Sequence, residues 1–159
     1  MSTETSDFVI LVAEDNPADV ALVREALKEH RVNCVLHVVN DGAQAIAFID
    51  GIDVDPKKPR LDLILLDLHL PSRDGEEIVK RLRSTERNAQ TPVIVMSGSD
   101  SPTDRRKAEK YALFYFRKPS RLAEFTQLGA IVASVLADAA ESARRLPTPG
   151  AQARRHGGQ

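Results

Sequence analysis

The chain has a single cysteine, Cys34, in 159 residues. A disulfide within the chain is therefore excluded, which fits a reducing compartment. Lying in an apolar stretch, Cys34 reads as a small buried hydrophobe. Net charge is almost absent, −1 at neutral pH, so charge alone indicates neither nucleic acid nor a membrane surface. No run approaches the ~20 consecutive apolar residues of a membrane span. The N-terminus, Met1 to Asp7, lacks the basic region and apolar core of a signal peptide. These absences predict a cytoplasmic protein with no membrane partner. No internal repeat is present either.

What the chain does have is ordinary for a globular protein: 42% apolar and 28% charged residues. That suffices for a real core. The length predicts one domain over residues 8–143, with disordered ends at 1–7 and 144–159. The C-terminal stretch is rich in Pro, Gly and Arg. It carries Arg144, Arg145, Arg154 and Arg155 with no acid, a balance of +4 that leaves −5 for the remainder. Such a tail could contact anionic polymers, but it reads first as a solvated end. No helix-turn-helix segment or other DNA-binding output domain is read after residue 143.

Short apolar runs alternate with helical patterns. Phe8–Ala13 reads as a strand. Asn16-Pro17 starts a helix as N-cap and first helical residue, with Asp19 as a weak capping-box partner. Val35–Val39 is a second strand, and Asp41-Gly42 opens a second helix. Leu61–Asp67 is a third strand, apolar almost throughout and then ending on a carboxylate. A helix follows Asp74-Gly75. Val93–Met96 is the fourth strand, ending on Ser97-Gly98, and Ser101-Pro102 starts the fourth helix. Leu113–Phe116 is the fifth strand, closed by Lys118-Pro119. Ser120 caps a last helix to about residue 143. Five strand–helix units predict an α/β fold, a doubly wound five-stranded parallel sheet of flavodoxin-like order.

In such a sheet the carboxyl ends of all strands face one edge, where ligands bind. Glu14 and Asp15 follow strand one, Asp67 ends strand three, Ser97 strand four and Lys118 strand five. Two carboxylates ~4 Å apart repel by roughly 4 kcal/mol at an effective dielectric of ~20. Three need a cation or must keep a proton. A hard divalent ion such as Mg²⁺ takes oxygen ligands from one or two carboxylates and from phosphate. That leaves an Asp67 oxygen free to attack phosphorus. Lys118 offers a positive charge, Ser97 a hydroxyl donor, and Gly98 a backbone N–H with no side chain in the way. All three suit a phosphoryl group.

These segments, Val9–Asn16, Asp62–Gly75, Pro92–Gly98 and Arg117–Pro119, resemble those of response-regulator receiver domains, the aspartate-phosphorylated partners of histidine kinases. The resemblance covers roughly residues 8–143. The Glu14-Asp-Asn-Pro-Ala-Asp19 stretch, the long loop before strand three and Lys118-Pro-Ser120 are similar to single-domain regulators paired with bacterial phytochrome kinases. The resemblance implies a (β/α)5 receiver fold and a phosphorelay role. Asp67 would be the phospho-acceptor. Glu14, Asp15, Asp67 and the backbone carbonyl of His69 would hold Mg²⁺, Glu14 through water. Ser97, Gly98 and Lys118 would contact the phosphoryl group. Ser97 and Tyr115 would form the switch. The family's usual threonine is Ser97 here, which keeps the donor and loses a methyl group. The His69 side chain reads as a surface group beside the site. Such a chain would take part in its own phosphorylation without being an enzyme in its own right.

Two departures stand out. Tyr111–Arg117 contains no glycine before strand five, where a glycine-containing turn is usual. The interval from Ser97 to Lys118 is about one residue short. Both fall on the switch face. The last helix has apolar residues over about half its wheel, which predicts a homodimer through the fourth helix, fifth strand and last helix. Two other functions fit less well. An aspartate-nucleophile phosphohydrolase needs a second acid two residues after the nucleophile, where this chain has His69. A flavin- or nucleotide-binding module needs a Gly- or Ser/Thr-rich phosphate loop after strand one, where this chain has Glu14-Asp15-Asn16.

Overall fold

A computed structural model describes residues 7–99, 101–111 and 114–145, with side chains to residue 142. β1 (Phe8–Ala13), β2 (Cys34–Val39), β3 (Leu63–Asp67), β4 (Val93–Ser97) and β5 (Phe114–Arg117) form one parallel sheet in the order β2-β1-β3-β4-β5. This is the predicted flavodoxin-like order. The helices are α1 (Pro17–Glu29), α2 (Gly42–Val54), α3 (Gly75–Ser84), α4 (Pro102–Lys110), α5 (Leu122–Phe125) and α6 (Gln127–Arg145).

The period-2 alternation of side chains sorts the strands between two cores. Val9, Leu11, Ile64, Leu66, Val93 and Val95 pack against α2 and α3. Ile10, Val12, Leu63, Leu65, Ile94 and Met96 pack against α1, α5 and α6. β3 and β4 are buried along their whole length, as strands covered on both faces should be. Each fully buried aliphatic side chain contributes about 1.5–3 kcal/mol.

Two glycines allow close approaches. A Cβ on Gly129 would collide with the Ala26 carbonyl, so α6 lies directly against α1. A Cβ on Gly42 would collide with Arg73, so the start of α2 abuts the loop that follows Asp67. Gly42 N also donates to Pro71 O at 3.0 Å. In that loop Ser72 holds φ at 78°, a region L-residues seldom occupy.

Local caps match expectation at several starts. Asn16, Asp41, Asp74 and Ser101 are N-caps whose side chains accept from backbone N–H groups. Other boundaries differ. β3 starts at Leu63 because Leu61 and Asp62 are taken by side-chain anchors, Asn88 Oδ1 on Leu61 N and Asp62 Oδ2 on Val9 N. Cys34 is only half-buried, since β2 is an edge strand. Ser120 is not the last cap. Arg121 occupies that position without a side-chain bond, and the helix is interrupted at Thr126. Leu122–Ser142 is long and apolar enough to cross a membrane by length and composition, contrary to expectation. Leu128, Val132, Val135 and Leu136 of this stretch are buried on the sheet, as in a core helix. Of the predicted disordered ends, residues 1–6 and 146–159 lie outside the described residues, as do Ala112 and Leu113 of the glycine-free stretch; Arg144 and Arg145 instead continue α6.

Candidate functional site

The carboxyl edge of the sheet gathers the acids. β1 delivers Glu14 and Asp15 and β3 delivers Asp67, with one ligand oxygen from each lying within 4.8 Å of the others. Glu14 is 1% exposed and Asp67 7%, while Asp15 is exposed. Lys118, placed by the end of β5, reaches into this group. Its Nζ lies 2.7 Å from Glu14 Oε2, 2.8 Å from Asp19 Oδ2 and 3.2 Å from Asp67 Oδ2. Backbone donors take other oxygens. Asn16 N donates to Glu14 Oε1 at 3.1 Å, and His69 N donates to Asp67 Oδ1 at 2.9 Å.

Three carboxylates thus contact one ammonium group, and a fourth, Asp15, lies beside Glu14 and Asp67. Burial pushes the Glu14 carboxyl up to about 7; the hydrogen bond from Lys118 works against this and the charge of Asp67 adds to it. Burial works against the Lys118 ammonium too. The hydrogen bonds it donates to Asp19 and Glu14 and the charge of Asp67 outweigh it and hold its pKa above the ordinary lysine value. The cluster is short of positive charge, and its oxygen donors are those a hard divalent cation prefers.

A family model for the response regulator receiver domain matches residues 10–129. The chain belongs to this family. Among its relatives, response regulator Rcp1 of Synechocystis is 38% identical over 96 residues, which span 60% of this chain and 65% of Rcp1. The phosphorylated cyanobacterial phytochrome response regulator RcpA is 31% identical with a TM-score of 0.74, covering 84% of this chain and 96% of RcpA. The receiver domain of sensor histidine kinase PA1611 from Pseudomonas aeruginosa, with magnesium coordinated in its active-site cleft, is 26% identical with a TM-score of 0.65. That comparison covers 83% of this chain and 99% of the PA1611 domain.

In this receiver the remaining expected residues are arranged less simply. Ser97 is fully buried, and its Oγ donates to Asp104 Oδ2 at 3.2 Å while accepting from Ser99 N at 3.1 Å. Its backbone is tied to the lysine, because Lys118 N donates to Ser97 O at 2.8 Å. Gly98 borders an open cleft with Lys118, Pro119 and Ser120, and a Cβ there would meet nothing within 4 Å. Tyr115 is half-buried; its hydroxyl donates to Ser99 O, and the Arg105 guanidinium lies 5.0 Å from its ring centre. The His69 imidazole is exposed, as expected, but its Nε2 lies 3.0 Å from Asp104 Oδ2.

Sequence reasoning missed two acids. Asp19 is no capping-box partner: its carboxylate binds Lys118, and the Asn16 N–H it would have capped goes to Glu14. Its position one helical turn after Asn16 was the available signal. Asp104 sits in an ordinary helix start after Ser101-Pro102, where an acid needs no special explanation.

Proposed function

We propose that the chain accepts a phosphoryl group on Asp67 from the phosphohistidine of a sensor kinase, within a two-component phosphorelay. The arrangement that carries this reading is the contact of Asp67 with Lys118 inside the Glu14–Asp15–Asp67 cluster. An Asp67 carboxylate oxygen forms the new P–O bond as the P–N bond of phosphohistidine breaks. The histidine nitrogen keeps the electron pair and later takes a proton. Glu14, Asp15, Asp67 and the carbonyl of His69 would hold Mg²⁺. The ion, when bound, offsets the charge of carboxylates and phosphoryl oxygens. Lys118 neutralises a phosphoryl oxygen, Ser97 and the Gly98 N–H donate to others, and Tyr115 follows the movement of Ser97.

The similarity to RcpA, a cyanobacterial phytochrome response regulator, and the Lys118-Pro-Ser120 motif support a bacterial phytochrome as the kinase. A homodimer through α4, β5 and the last helices is supported by exposed Phe114 and Leu122, 49% and 63% accessible. The α6 stripe itself gives less support, since its large residues are mostly consumed by the core. The test is incubation with a small acyl phosphate and Mg²⁺, followed by mass measurement. One base-labile phosphoryl group per chain is expected, absent from Asp67→Asn. A label retained in that variant would refute the assignment.

A further inference from the structure

α4 buries little. Of its nine residues, only Asp104 and Ala108 are buried. It is held mainly by polar ties. Lys107 Nζ lies 3.9 Å from Asp74 Oδ2. Lys110 Nζ and, next to it, the Tyr111 hydroxyl both reach Glu76 Oε1, at 3.3 and 2.6 Å. The innermost tie is Asp104, 4% exposed, whose Oδ2 takes the Ser97 hydroxyl at 3.2 Å and stands 3.0 Å from His69 Nε2. A carboxylate is seldom this buried without a specific partner.

A serine hydroxyl has one proton to donate. Here Ser97 gives it to Asp104. A phosphoryl oxygen on Asp67 needs the same proton. We infer that Asp104 is a positioning residue that holds the Ser97 hydroxyl away from the phosphorylation site, and that its loss of Ser97 on phosphorylation loosens the first turn of α4. The inference rests on the proposed phosphorylation of Asp67. Once Ser97 turns to the phosphoryl group, Asp104 keeps only its contact with His69 among the side-chain contacts described. Because α4 has almost no apolar face to retain it, losing this tie costs the helix a large part of its attachment. Tyr115 is bonded to Ser99, in the same β4–α4 loop, so its position depends on the same rearrangement.

The mechanism predicts competition for one hydroxyl, and competition shows as coupling between two substitutions. The probe is beryllofluoride with Mg²⁺, an equilibrium mimic of the phosphoryl group. Asp104→Ala should bind it roughly 5- to 10-fold more tightly than the parent chain, as expected when a competing hydrogen bond to a charged acceptor is removed. Asp104→Asn, which keeps an acceptor, should gain less. In a Ser97→Ala background, where no hydroxyl is contested, Asp104→Ala should change the affinity less than about twofold. In the parent chain, beryllofluoride should speed amide exchange at residues 104–106 and leave the α1 amides unchanged. In Asp104→Ala that exchange should already be fast without the probe.

An equal gain in the Ser97→Ala background would overturn the inference. So would no gain in a folded Asp104→Ala, or no change in α4 exchange. If Asp104→Ala does not fold, the isosteric Asp104→Asn carries the same comparison with a smaller expected gain, and a gain equal in the parent and Ser97→Ala backgrounds, or none, would overturn the inference. A parent chain that takes no phosphoryl label on Asp67 would refute the underlying function and this inference with it. A labelled chain without coupling would refute the role of Asp104 alone.

Discussion

Asp62 and Asp67 lie at opposite ends of the same stretch of chain and do different things. At the amino end of β3, Asp62 Oδ2 accepts from Val9 N at 2.7 Å. Around it the chain is fastened by neutral groups. Asn88 Oδ1 accepts from Leu61 N, and Thr91 Oγ1 donates to Leu61 O. At the carboxyl end, Asp67 meets Glu14, Asp15 and Lys118. One carboxylate is satisfied by a backbone donor and fixes the register of β1 on the incoming chain. The other also takes a backbone donor, His69 N, but is held among like charges and one shared cation. What sets Asp67 apart from Asp62 is its deeper burial and the charged partners it meets there.

Exchanging the two roles by mutation should show the difference. Asp67→Asn should lose phosphoryl labelling completely while its melting temperature holds or rises, because a like charge leaves the cluster. Intact-mass and thermal-melt measurements on the same sample check both halves.

Lys118→Met should be the most damaging to stability at the carboxyl end. It leaves Glu14, Asp19 and Asp67 without their cation, and breaking such a buried pair costs about 3–5 kcal/mol. Urea titration should show the loss, and millimolar Mg²⁺ should recover part of it.

The cluster should also respond to pH. Folded Glu14 has its pKa raised from 4.5 to about 7, so between these values the folded state binds more protons than the unfolded chain. Stability of the metal-free protein should therefore fall as pH rises through this window, by up to about 3 kcal/mol at 1.36 kcal/mol per pKa unit. Mg²⁺ should flatten the slope. A stability rising over the same range without metal would contradict the assignment.

Asp62→Asn should have the smallest effect. Its half-exposed carboxylate loses only the charge on one hydrogen bond, so a loss of about 1–2 kcal/mol is expected with labelling unimpaired.

Much of the carboxyl end is legible in the sequence, because each strand announces its own end. An apolar run that stops on Asp67, or on Ser97-Gly98, is a local signal, and parallel topology brings such ends to one edge whatever the details. The amino end was less legible. Asp62 looked like one more strand residue, and only the register of β1 shows that its oxygen meets Val9 N. Arg87 is similar, with its guanidinium bonded to the carbonyls of Ile52, Asp55 and Lys58. Asp104 escaped for the same reason, since a helix start explains an acid without reference to Ser97.

The sequence by itself determined the alternation of strands and helices, the helix starts at Asn16, Asp41, Asp74 and Ser101, and the acids and lysine at the strand ends. These follow from periodicity and from residues a few positions apart. Only the tertiary structure decided who pairs with whom. Lys118 and Glu14 are 104 residues apart and Lys118 and Asp19 are 99 apart, and a single ammonium group distributes its protons among acids by distance, which sequence separation does not encode. The same holds for the Ser97 hydroxyl, whose one proton goes to Asp104 because packing of α4 brings that carboxylate within reach.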